Sequence, residues 1–486
     1  MILVILPNQL FPIKLLSLDN IKLICLIEEP RYFTEYRFHK LKLMYHRASM
    51  KKYYDQLINK NINCKYIEYK NVNDEFYKSL NSKFTIYINP IDHTLERKFK
   101  TKLSNAKMID NLNFLLTPNE IRENKNKFYK NNKYRHDLFY KYQRTKLNIL
   151  MKGNKPIGKW SYDTENRKPL PHNIKIPKAA NAAKAAKVAK DKYYKEALLY
   201  IETNFPNNYG DTDNWIFPID TKGAIKWLDV FMAERLKNFG PYEDAVKDNE
   251  LFLFHSALSP MMNIGILPDI MVIDKVTNYY RNTAVPIASY EGFIRQVIGW
   301  RNYVYSIYIL EPNMYEMNNM KHKKRISDSY WIANTNIKPI DSIIKKIVKY
   351  SYAHHIERLM YLGNWFLINQ KDPKEVHRIF MEWMIDAYDW VMVPNVMGMS
   401  QAADGGKMMT RLYFSSSNYI NTMSDYKKTK DEDWWKIWDA IYYSFIDKHY
   451  DLLKSNYATA RQAAHWMKKT QKEKLKLIKI SNSFKR

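Results

Sequence analysis

Residues 1–12 read MILVILPNQLFP, and this opening run sets the fold of the first part of the chain. An apolar stretch without polar alternation is typical of a strand that is buried on both faces of a parallel sheet. Further short apolar runs at residues 23–27, 64–69 and 85–88 alternate with amphipathic stretches such as residues 40–58. This β-α-β order predicts an α/β unit, a parallel sheet with helices on its faces, over residues 1–130.

The turn after the first strand differs from a nucleotide-binding loop. Pro7, Asn8 and Gln9 stand where a dinucleotide-binding fold carries its glycine-rich phosphate loop. Residues 1–6 also lack the basic start of a signal peptide, so we interpret them as a buried strand. No apolar run approaches the roughly 20 residues of a membrane helix, so no membrane partner is expected.

Cysteine usage indicates the compartment. The chain has two cysteines, Cys25 and Cys64, both in apolar, strand-like surroundings. Two thiols cannot form a disulfide framework or a four-cysteine metal site. We therefore expect an intracellular protein in a reducing compartment.

The composition changes after the α/β unit, and residues 131–204 are interpreted as an interdomain linker. Residues 155–177 are polar and rich in proline, which predicts a loop. Residues 178–190 read KAANAAKAAKVAK. Alanine and lysine favour a helix, but this one has little to bury, so we expect a solvated basic helix or a flexible tether. A DNA contact is the alternative.

Helical periodicity dominates the rest of the chain, and residues 205–486 are predicted to form an all-α domain. The long helix candidates are residues 221–238, 289–310, 340–369, 373–392 and 434–453. Tryptophan is frequent here, at positions 300, 331, 365, 383, 390, 434, 435 and 438. This density suits core packing, and it also suits stacking on a ring cofactor or on bases, or electron hopping.

The charge of the chain points to a polyanionic partner. The formal net charge is +28 over 486 residues, and no acidic tail balances it. Such an excess of lysine and arginine on a folded surface indicates nucleic acid first. A compositional bias is the alternative, since the chain is also rich in Asn, Ile and Tyr.

Residues 352–360 read YAHHIERLM and place two histidines beside an arginine. Neighbouring residues of a helix differ by about 100°, so one of His354 and His355 can reach a pocket while the other packs nearby. Histidine suits acid–base chemistry near neutral pH, and Arg358 follows within one turn. Two satisfied core histidines are the alternative interpretation.

Three other segments carry groups that suit a charged ligand. Ser256 and Ser259 lie at a helix start before a proline, a pattern that suits a phosphate but also an ordinary cap. Asp389 is a candidate partner for Arg358, and Asn395 offers an amide before a glycine-rich loop. Each of these also fits an ordinary helix terminus.

The third segment is the predicted helix over residues 289–310. Gln296 and Trp300 are four residues apart and share one face. Arg295 and Arg301 need anionic or acceptor partners if they are buried. An amphipathic helix with arginines that extend to solvent is the alternative.

Taken together, these motifs resemble the cryptochrome/photolyase superfamily, and more narrowly its prokaryotic (6-4) photolyase branch, the iron–sulfur bacterial cryptochromes and photolyases. The resemblance covers nearly the whole chain and rests on many motifs in one order. They are ILPNQLFP, RFHKLKLMYHRASM, KWSYDTENRKPLP, FGPYEDA, LFHSALSPMMNIG, EGFIRQVIGWRNYV, YAHHIERLM, DWVMVPNVMGMSQAADGG and YINTMSDY.

The resemblance implies an N-terminal antenna domain and a helical domain that holds FAD. The residues implied at the FAD are Tyr242, Ser256, Leu258, Ser259, Arg301, Arg358, Asp389 and Asn395, with Arg358 and Asp389 as a charge pair. Gln296 and Trp300 would face the lesion, and His354 and His355 would be catalytic. Trp331, Trp383 and Trp390 are candidates for the chain that photoreduces FAD. A lumazine-type antenna is a further possibility that the resemblance carries.

The chain departs from this branch at its iron–sulfur cluster. The branch ligates a [4Fe–4S] cluster with four cysteines of the helical domain, and such clusters require thiolates. Here the paired-cysteine position reads Lys427, Lys428, Thr429, Lys430, and the positions near Lys338 and Lys436 hold no cysteine. We therefore predict that no cluster is bound, and the lysines could contact phosphate instead.

The resemblance implies a light-driven DNA repair enzyme, a photolyase, which we expect to act as a monomer on UV-damaged DNA. Photolyases turn the damaged base out of the duplex, and excited reduced FAD would give it an electron. Repair of a (6-4) photoproduct also needs a proton donor, so the histidine pair favours this lesion. The alternatives are a cyclobutane dimer photolyase, a cryptochrome that senses blue light without repair, and a nucleic-acid-binding protein with a vestigial flavin site.

Overall fold

The computed structural model describes residues 1–409 and 411–484. Its first unit is built on five parallel strands: β1 (Ile2–Ile5), β2 (Leu23–Ile27), β3 (Cys64–Ile67), β4 (Thr85–Ile88) and β5 (Lys107–Ile109). Their order is β3-β2-β1-β4-β5, and Ile2 pairs with both Leu23 and Thr85. Helices Lys40–Ile58, Asp74–Leu80 and His93–Lys102 connect the strands. The predicted α/β unit is confirmed.

Strand β5 is the element of this sheet that the sequence did not predict. Its three residues include an exposed lysine and an exposed methionine, so it lacks the apolar run that marks the other strands. An edge strand pairs with one neighbour only, here β4, and needs less apolar sequence than a central strand. The sheet therefore extends one strand further than its apolar pattern indicates.

The carboxyl edge of the sheet is closed by protein. Strand β1 lies where the strand order reverses, the place at which open α/β sheets bind ligands. There the Gln9 amide nitrogen donates to the carbonyls of Ile88 and Asn89, both at 3.1 Å. Its oxygen accepts from the backbone N–H of Leu6. Gln9 thus ties the turn after β1 to the end of β4.

The segment between the two units is folded. Its helices are His136–Lys146, Ala179–Ala185 and Lys192–Asn204. The first packs on the helical unit at Arg295–Arg301, and the last packs on Lys40–Ile58 of the α/β unit. Residues 131–204 therefore contribute to both units as well as connecting them.

The Lys/Ala run forms a short helix with a buried face. Ala182 and Ala186 are buried, whereas Lys178, Lys184 and Lys187 are exposed. The helix packs on Thr221–Val230. The expectation that this run has little to bury was wrong, because alanine methyl groups are enough for close helix packing.

The rest of the chain is helical. Its α-helices are Thr221–Val230, Leu236–Phe239, Ser259–Asn263, Asp269–Asn282, Ile287–Ile294, Asn302–Leu310, Lys338–Tyr350, Asn364–Ile368, Pro373–Trp383, Asp389–Val393, Ser417–Met423, Trp434–Lys448, Tyr450–Ser455, Ala460–Met467 and Gln471–Ser483. Four π-helical segments interrupt them within the described residues: Phe231–Arg235, Arg295–Arg301, Glu357–Gly363 and Pro394–Ser400. No helix among the described residues is long and apolar enough to cross a membrane.

Two of the long predicted helices are broken. The helix predicted over residues 340–369 ends at Tyr350, because Ser351 adopts a left-handed backbone with φ of 52°. The helix predicted over residues 373–392 ends at Trp383 and starts again at Asp389. Both histidines of the pair and the candidate Asp389 therefore lie at helix breaks, as does Asp386, and these breaks shape the site described next.

Candidate active site

A cavity lies inside the helical unit, and three of the π-helical segments form its wall. Arg295–Arg301 contributes Gln296 and Trp300, Glu357–Gly363 contributes Arg358, and Pro394–Ser400 contributes Asn395. π-Helical turns recur at functional sites because they push side chains out of the regular helical register.

Glycine allows two of these segments to meet. A Cβ atom on Gly363 would lie 2.9 Å from the Arg358 carbonyl oxygen and 3.0 Å from the Cβ of Ser400. Both distances are too short for a side chain, so only glycine permits this approach. The Glu357–Gly363 and Pro394–Ser400 segments therefore pack closely at the back of the cavity.

The structure brings ten of the predicted site residues into the cavity wall and leaves five outside it. The ten that line the cavity are Ser256, Leu258, Ser259, Gln296, Trp300, Arg301, His355, Arg358, Trp390 and Asn395. The five that do not line it are Tyr242, Trp331, His354, Trp383 and Asp389.

Arg358 pairs with Asp386, and the predicted Arg358–Asp389 pair was wrong. The guanidinium donates from Nη1 to Asp386 Oδ1 at 2.8 Å and from Nη2 to Oδ2 at 3.1 Å. Ser259 donates its hydroxyl to the same carboxylate. Burial would lower the pKa of Arg358, but the Asp386 carboxylate outweighs it and raises that pKa.

Asp389 lies at the contact between the two units instead. It forms an ion pair with Arg31, which also binds Asp92 at 2.6 Å, and its Oδ1 lies 3.3 Å from His377 Nε2. Burial would raise the pKa of Asp389, but His377 and Arg31 outweigh it and hold the pKa at about 2. The physical reason is the helix break at residues 384–388, which turns Asp386 and Asp389 in different directions.

The two histidines of the pair occupy different environments. His355 lines the cavity, and its side chain is exposed on the cavity side. Burial and the charge of Arg358 lower the pKa of His355 to about 4, so its imidazole is neutral at pH 7. His354 is buried behind the wall and stacks on His255, with ring centroids 4.3 Å apart. His355 is therefore the member of the pair that can contact a ligand.

A buried ion pair supports this turn. Glu357 accepts from the backbone N–H of His354 at 3.1 Å and forms an ion pair with Lys346. Lys346 also donates to the carbonyls of Lys247 and Glu250, at 3.3 and 3.1 Å. Glu357 and Lys346 thereby fix the backbone turn that carries the histidine pair.

Gln296 and Trp300 share the cavity wall, as the helical spacing predicted. Gln296 donates to Glu243 at 2.7 Å. The Trp300 indole N–H donates to Asn395 Oδ1 at 3.3 Å, and the Asn395 amide donates to the Val391 carbonyl. These hydrogen bonds therefore hold both side chains in place at the cavity wall.

The two arginines of this helix face carboxylate and amide groups. Arg301 donates to Asp269 at 2.6 Å and to the Asn263 side chain. Its guanidinium also lies 4.8 Å from the centre of the Trp390 ring. Arg295 lies 3.4–3.6 Å from Asp163, Glu243 and Glu291. Arg301 therefore has the acceptor partners that burial requires for two of its nitrogens. Arg295 faces carboxylates at ion-pair distance, but its Nε and Nη2 have no hydrogen-bond partner among the described residues.

The three tryptophans proposed for electron transfer fall into two groups. Trp390 lines the cavity and contacts Phe114 edge to face, with ring centroids 4.7 Å apart. Trp383 and Trp331 contact each other at 5.6 Å, and Tyr209 contacts both rings. Trp331 also borders a second cavity, near Lys345 and Lys349.

Tyr242 lies away from the cavity in a small apolar cluster. It packs on Phe254 with ring centroids 5.7 Å apart, and Leu170, Ile174 and Ile176 pack against the same cluster. These three residues belong to the proline-rich loop, which folds back over this region.

Sequence reasoning missed one histidine and two acidic residues of the wall. His255, Glu243 and Asp386 all line the cavity, although each lies inside a motif that drew attention. Asp386 begins the DAYDW run, yet Asp389 looked equivalent from sequence alone. The signal that could have found His255 and Glu243 is their place next to hydroxyl and tyrosine residues already selected.

Comparison with known proteins decides the family. A family model described as deoxyribodipyrimidine photo-lyase-related protein matches residues 3–217. The (6-4) photolyase of Agrobacterium fabrum is 37% identical over 344 residues, which cover 69% of this chain and 67% of that protein. The chain belongs to the cryptochrome/photolyase superfamily.

One further relative and two solved structures are also similar to this chain. An uncharacterised protein of Acanthamoeba polyphaga mimivirus is 36% identical over 191 residues, covering 36% of this chain and 97% of that protein. A class III photolyase from Agrobacterium tumefaciens superposes with a TM-score of 0.58 at 14% identity, covering 87% of this chain and 86% of that one. A Synechocystis cryptochrome gives 0.57 at 13% identity, covering 99% and 91%. Because the identities are this low, the two structures show similarity of the fold alone.

Membership of this superfamily implies a flavin cofactor, FAD, and the cavity suits such a group. Arg301 and His255 each keep one buried nitrogen without a hydrogen-bond partner among the described residues. Apolar side chains such as Leu258, Val297 and Met399 form much of the wall. Apolar walls with a few convergent cationic and polar groups are what a planar, anionic cofactor needs.

The residues at the expected cluster positions do not fit an iron–sulfur cluster. Lys338 pairs with Glu432, and Lys436 pairs with Asp433 at 2.6 Å. Lys427 donates to two backbone carbonyls at 2.7 Å. Both cysteines of the chain are buried in the sheet of the other unit. Within residues 1–409 and 411–484, no three histidine, cysteine or acidic side chains gather as a metal site.

Proposed function

We propose that this superfamily member is a light-driven, FAD-dependent DNA photolyase that repairs UV-induced pyrimidine lesions, most specifically (6-4) photoproducts. One observation carries the proposal: His355 enters the same cavity as the Arg358–Asp386 pair and the Gln296–Trp300 face. A cofactor-binding wall, an acid–base group and a base-facing surface thus share one space. The 37% identity to a (6-4) photolyase supports this reading.

The FAD would be held by residues that are already in place around the cavity. Arg301 and Arg358 supply positive charge, Ser256 supplies a hydroxyl, and Asn395 supplies an amide. When bound and reduced, the flavin would supply the electron that light makes available to the lesion. Tyr242 and Asp389, which the resemblance also implied, lie outside the wall and are not proposed as FAD contacts.

His355 is the proposed proton donor, and His354 supports it from behind. Because the pKa of His355 is about 4 in the ligand-free cavity, its ring is neutral at pH 7. Anionic groups that enter the cavity favour the charged form of a neighbouring imidazole and raise its pKa. Binding of a phosphodiester or of the cofactor phosphates would therefore move His355 toward the protonated state.

Gln296 and Trp300 are proposed to meet the everted base. An indole offers a stacking surface worth about 1–3 kcal/mol per base, and the Gln296 amide offers hydrogen bonds to the base edge. The net charge of +28 supports salt-dependent binding to backbone phosphates. We propose that the protein acts on damaged DNA as a monomer.

The remaining cofactor proposals concern electron transfer to the flavin, the iron–sulfur cluster and the antenna. We propose that a chain formed by Trp390, Trp383 and Trp331 passes electrons to the flavin site. The contact between Trp383 and Trp331 would form the outer part of this chain. No iron–sulfur cluster is proposed, because lysine ion pairs and backbone contacts take up its expected positions. A lumazine-type antenna stays a prediction, and the α/β unit would hold it.

One observation favours a cyclobutane dimer as the substrate instead. The low pKa of His355 leaves its ring without a proton to donate at neutral pH, and cleavage of a cyclobutane dimer needs no proton donor. A cyclobutane dimer photolyase is therefore the second candidate.

Three measurements test the proposal. Purified protein should show flavin absorbance, and after reduction it should restore (6-4)-damaged oligonucleotide in blue light and not in the dark. Iron analysis of protein made anaerobically should find no stoichiometric iron. Protein with flavin but without light-dependent repair of either lesion would instead indicate a blue-light receptor.

A further inference from the structure

Glu243 is a carboxyl group in the cavity wall, next to the face proposed to meet the base. Its Oε1 accepts from Gln296 Nε2 at 2.7 Å, and its Oε2 accepts from Asn166 Nδ2 at 3.1 Å. The mechanism above gives Glu243 no role, although it is the hydrogen-bond partner of Gln296.

Burial, together with the charges around it, places the ionisation of Glu243 close to neutral pH. Burial raises the pKa of Glu243 to about 7, although Arg295 lowers it. Asp244, next in the chain, and Asp163 both add negative charge that raises it. The positive charge of Arg295 is shared between Glu243 and Glu291, since its guanidinium also lies 3.5 Å from Glu291. Glu243 is therefore neutral below about pH 7 and ionised above it.

The two states of Glu243 require different orientations of the neighbouring amides. A carboxylate only accepts hydrogen bonds, so Gln296 must turn its NH₂ group toward it and its carbonyl oxygen away. A protonated carboxyl can also donate, and then either orientation of the Gln296 amide is satisfied. The buried Asn166 Oδ1, which lacks a partner among the described residues, could accept from the same hydroxyl after an amide turn.

We propose that Glu243 is a specificity-determining residue: in its ionised form it locks the Gln296 amide so that the carbonyl oxygen faces the cavity and accepts from an N–H group of an everted pyrimidine. The inference rests on the proposed function, since it takes a damaged base as the occupant. A fixed acceptor discriminates between bases because a mismatched edge leaves buried polar groups unpaired. Protonation of Glu243 frees the amide and weakens that discrimination.

The test is the ratio of dissociation constants for undamaged and (6-4)-containing oligonucleotides of one sequence, measured in the dark at pH 6 and pH 8. The preference for the lesion should be about five- to tenfold greater at pH 8, the effect of one well-placed hydrogen bond. Glu243→Gln should show the same preference at both pH values. Asp244→Asn, a matched control beside it, should keep a pH dependence, with the midpoint moved to lower pH because the variant removes a negative charge that raises the pKa of Glu243.

Gln296→Met removes the amide and should also abolish the pH dependence, which provides a second test if Glu243→Gln folds poorly. An equal preference at pH 6 and pH 8 in the wild type would overturn the inference, as would a pH dependence that survives Glu243→Gln. Wild-type protein that prefers the lesion at neither pH would instead count against the proposed function.

Discussion

Arg358 and Asp386 face each other across the cavity wall in a two-pronged ion pair, with N–O distances of 2.8 and 3.1 Å. The same carboxylate accepts from Ser259, and the Asp386 carbonyl accepts from Asn263 at 2.7 Å. Three separate segments of the chain are therefore joined at one carboxylate. Loss of this group should loosen the cofactor wall as a whole.

We expect Asp386→Asn to lower the flavin content of the purified protein and to reduce the free energy of unfolding by about 2–3 kcal/mol, because Arg358 loses its counter-ion in a partly buried place. Flavin absorbance and urea unfolding measure the two effects.

Asp389→Asn is the matched control for this prediction. It should keep the flavin, since Asp389 lies at the contact with Arg31 and not in the cavity wall. Loss of flavin from the Asp389 variant with full retention in the Asp386 variant would contradict the pairing seen here.

Replacement of His355 by alanine should reduce light-dependent repair of a (6-4) lesion by at least about 100-fold, the usual contribution of a positioned acid or base. Flavin binding and repair of a cyclobutane dimer should persist, because neither needs this proton. Undiminished (6-4) repair by the variant would remove His355 from the mechanism.

The pH behaviour of His355 provides a separate check. Its pKa is lowered to about 4, so in ligand-free protein the ring should gain its proton only as the pH falls toward 4. Nitrogen NMR of the imidazole should therefore show the neutral form from pH 6 to pH 8. An imidazolium signal at pH 7 in the free protein would show that the burial argument fails.

Glu357→Gln should destabilise the protein by about 3–5 kcal/mol, because it leaves the Lys346 ammonium buried without its counter-ion. The double variant Lys346→Met/Glu357→Gln carries no such charge and should recover most of the loss. Chemical denaturation compares the three proteins. Equal stability of the single and double variants would show that the ion pair does not control this region.

Trp383→Phe should slow photoreduction of oxidised flavin by an external reductant, since Trp383 is the buried half of the Trp383–Trp331 contact. Repair by protein that is already chemically reduced should not change. Trp435→Phe, in a half-buried tryptophan of another region, is the control. Equal photoreduction rates in the Trp383 variant and the wild type would exclude this route.

The sheet and the helical content could be predicted because apolar runs and helical periodicity are local signals. The partner of Arg358 could not, since Asp386 and Asp389 lie three residues apart in what looks like one helix. The break between them depends on a distant residue: Lys42, in the first long helix, donates to the Ala387 carbonyl at 2.6 Å. Such a tertiary contact leaves no mark in the local sequence pattern.

The histidine pair shows the same limit. Sequence spacing indicated that one histidine could reach a pocket while the other packs, and the structure shows His355 in the cavity and His354 behind it. Which of them does so depends on the left-handed Ser351 that ends the preceding helix. The stacking of His354 on His255 joins positions about a hundred residues apart, so no local sequence pattern predicts this contact.

The most direct test of the central claim is a repair assay with reduced, flavin-loaded protein and two oligonucleotides, one with a (6-4) photoproduct and one with a cyclobutane dimer. We predict that blue light restores the (6-4) substrate, that darkness does not, and that His355→Ala loses this activity. Failure of the illuminated wild-type protein to restore either lesion would contradict the account.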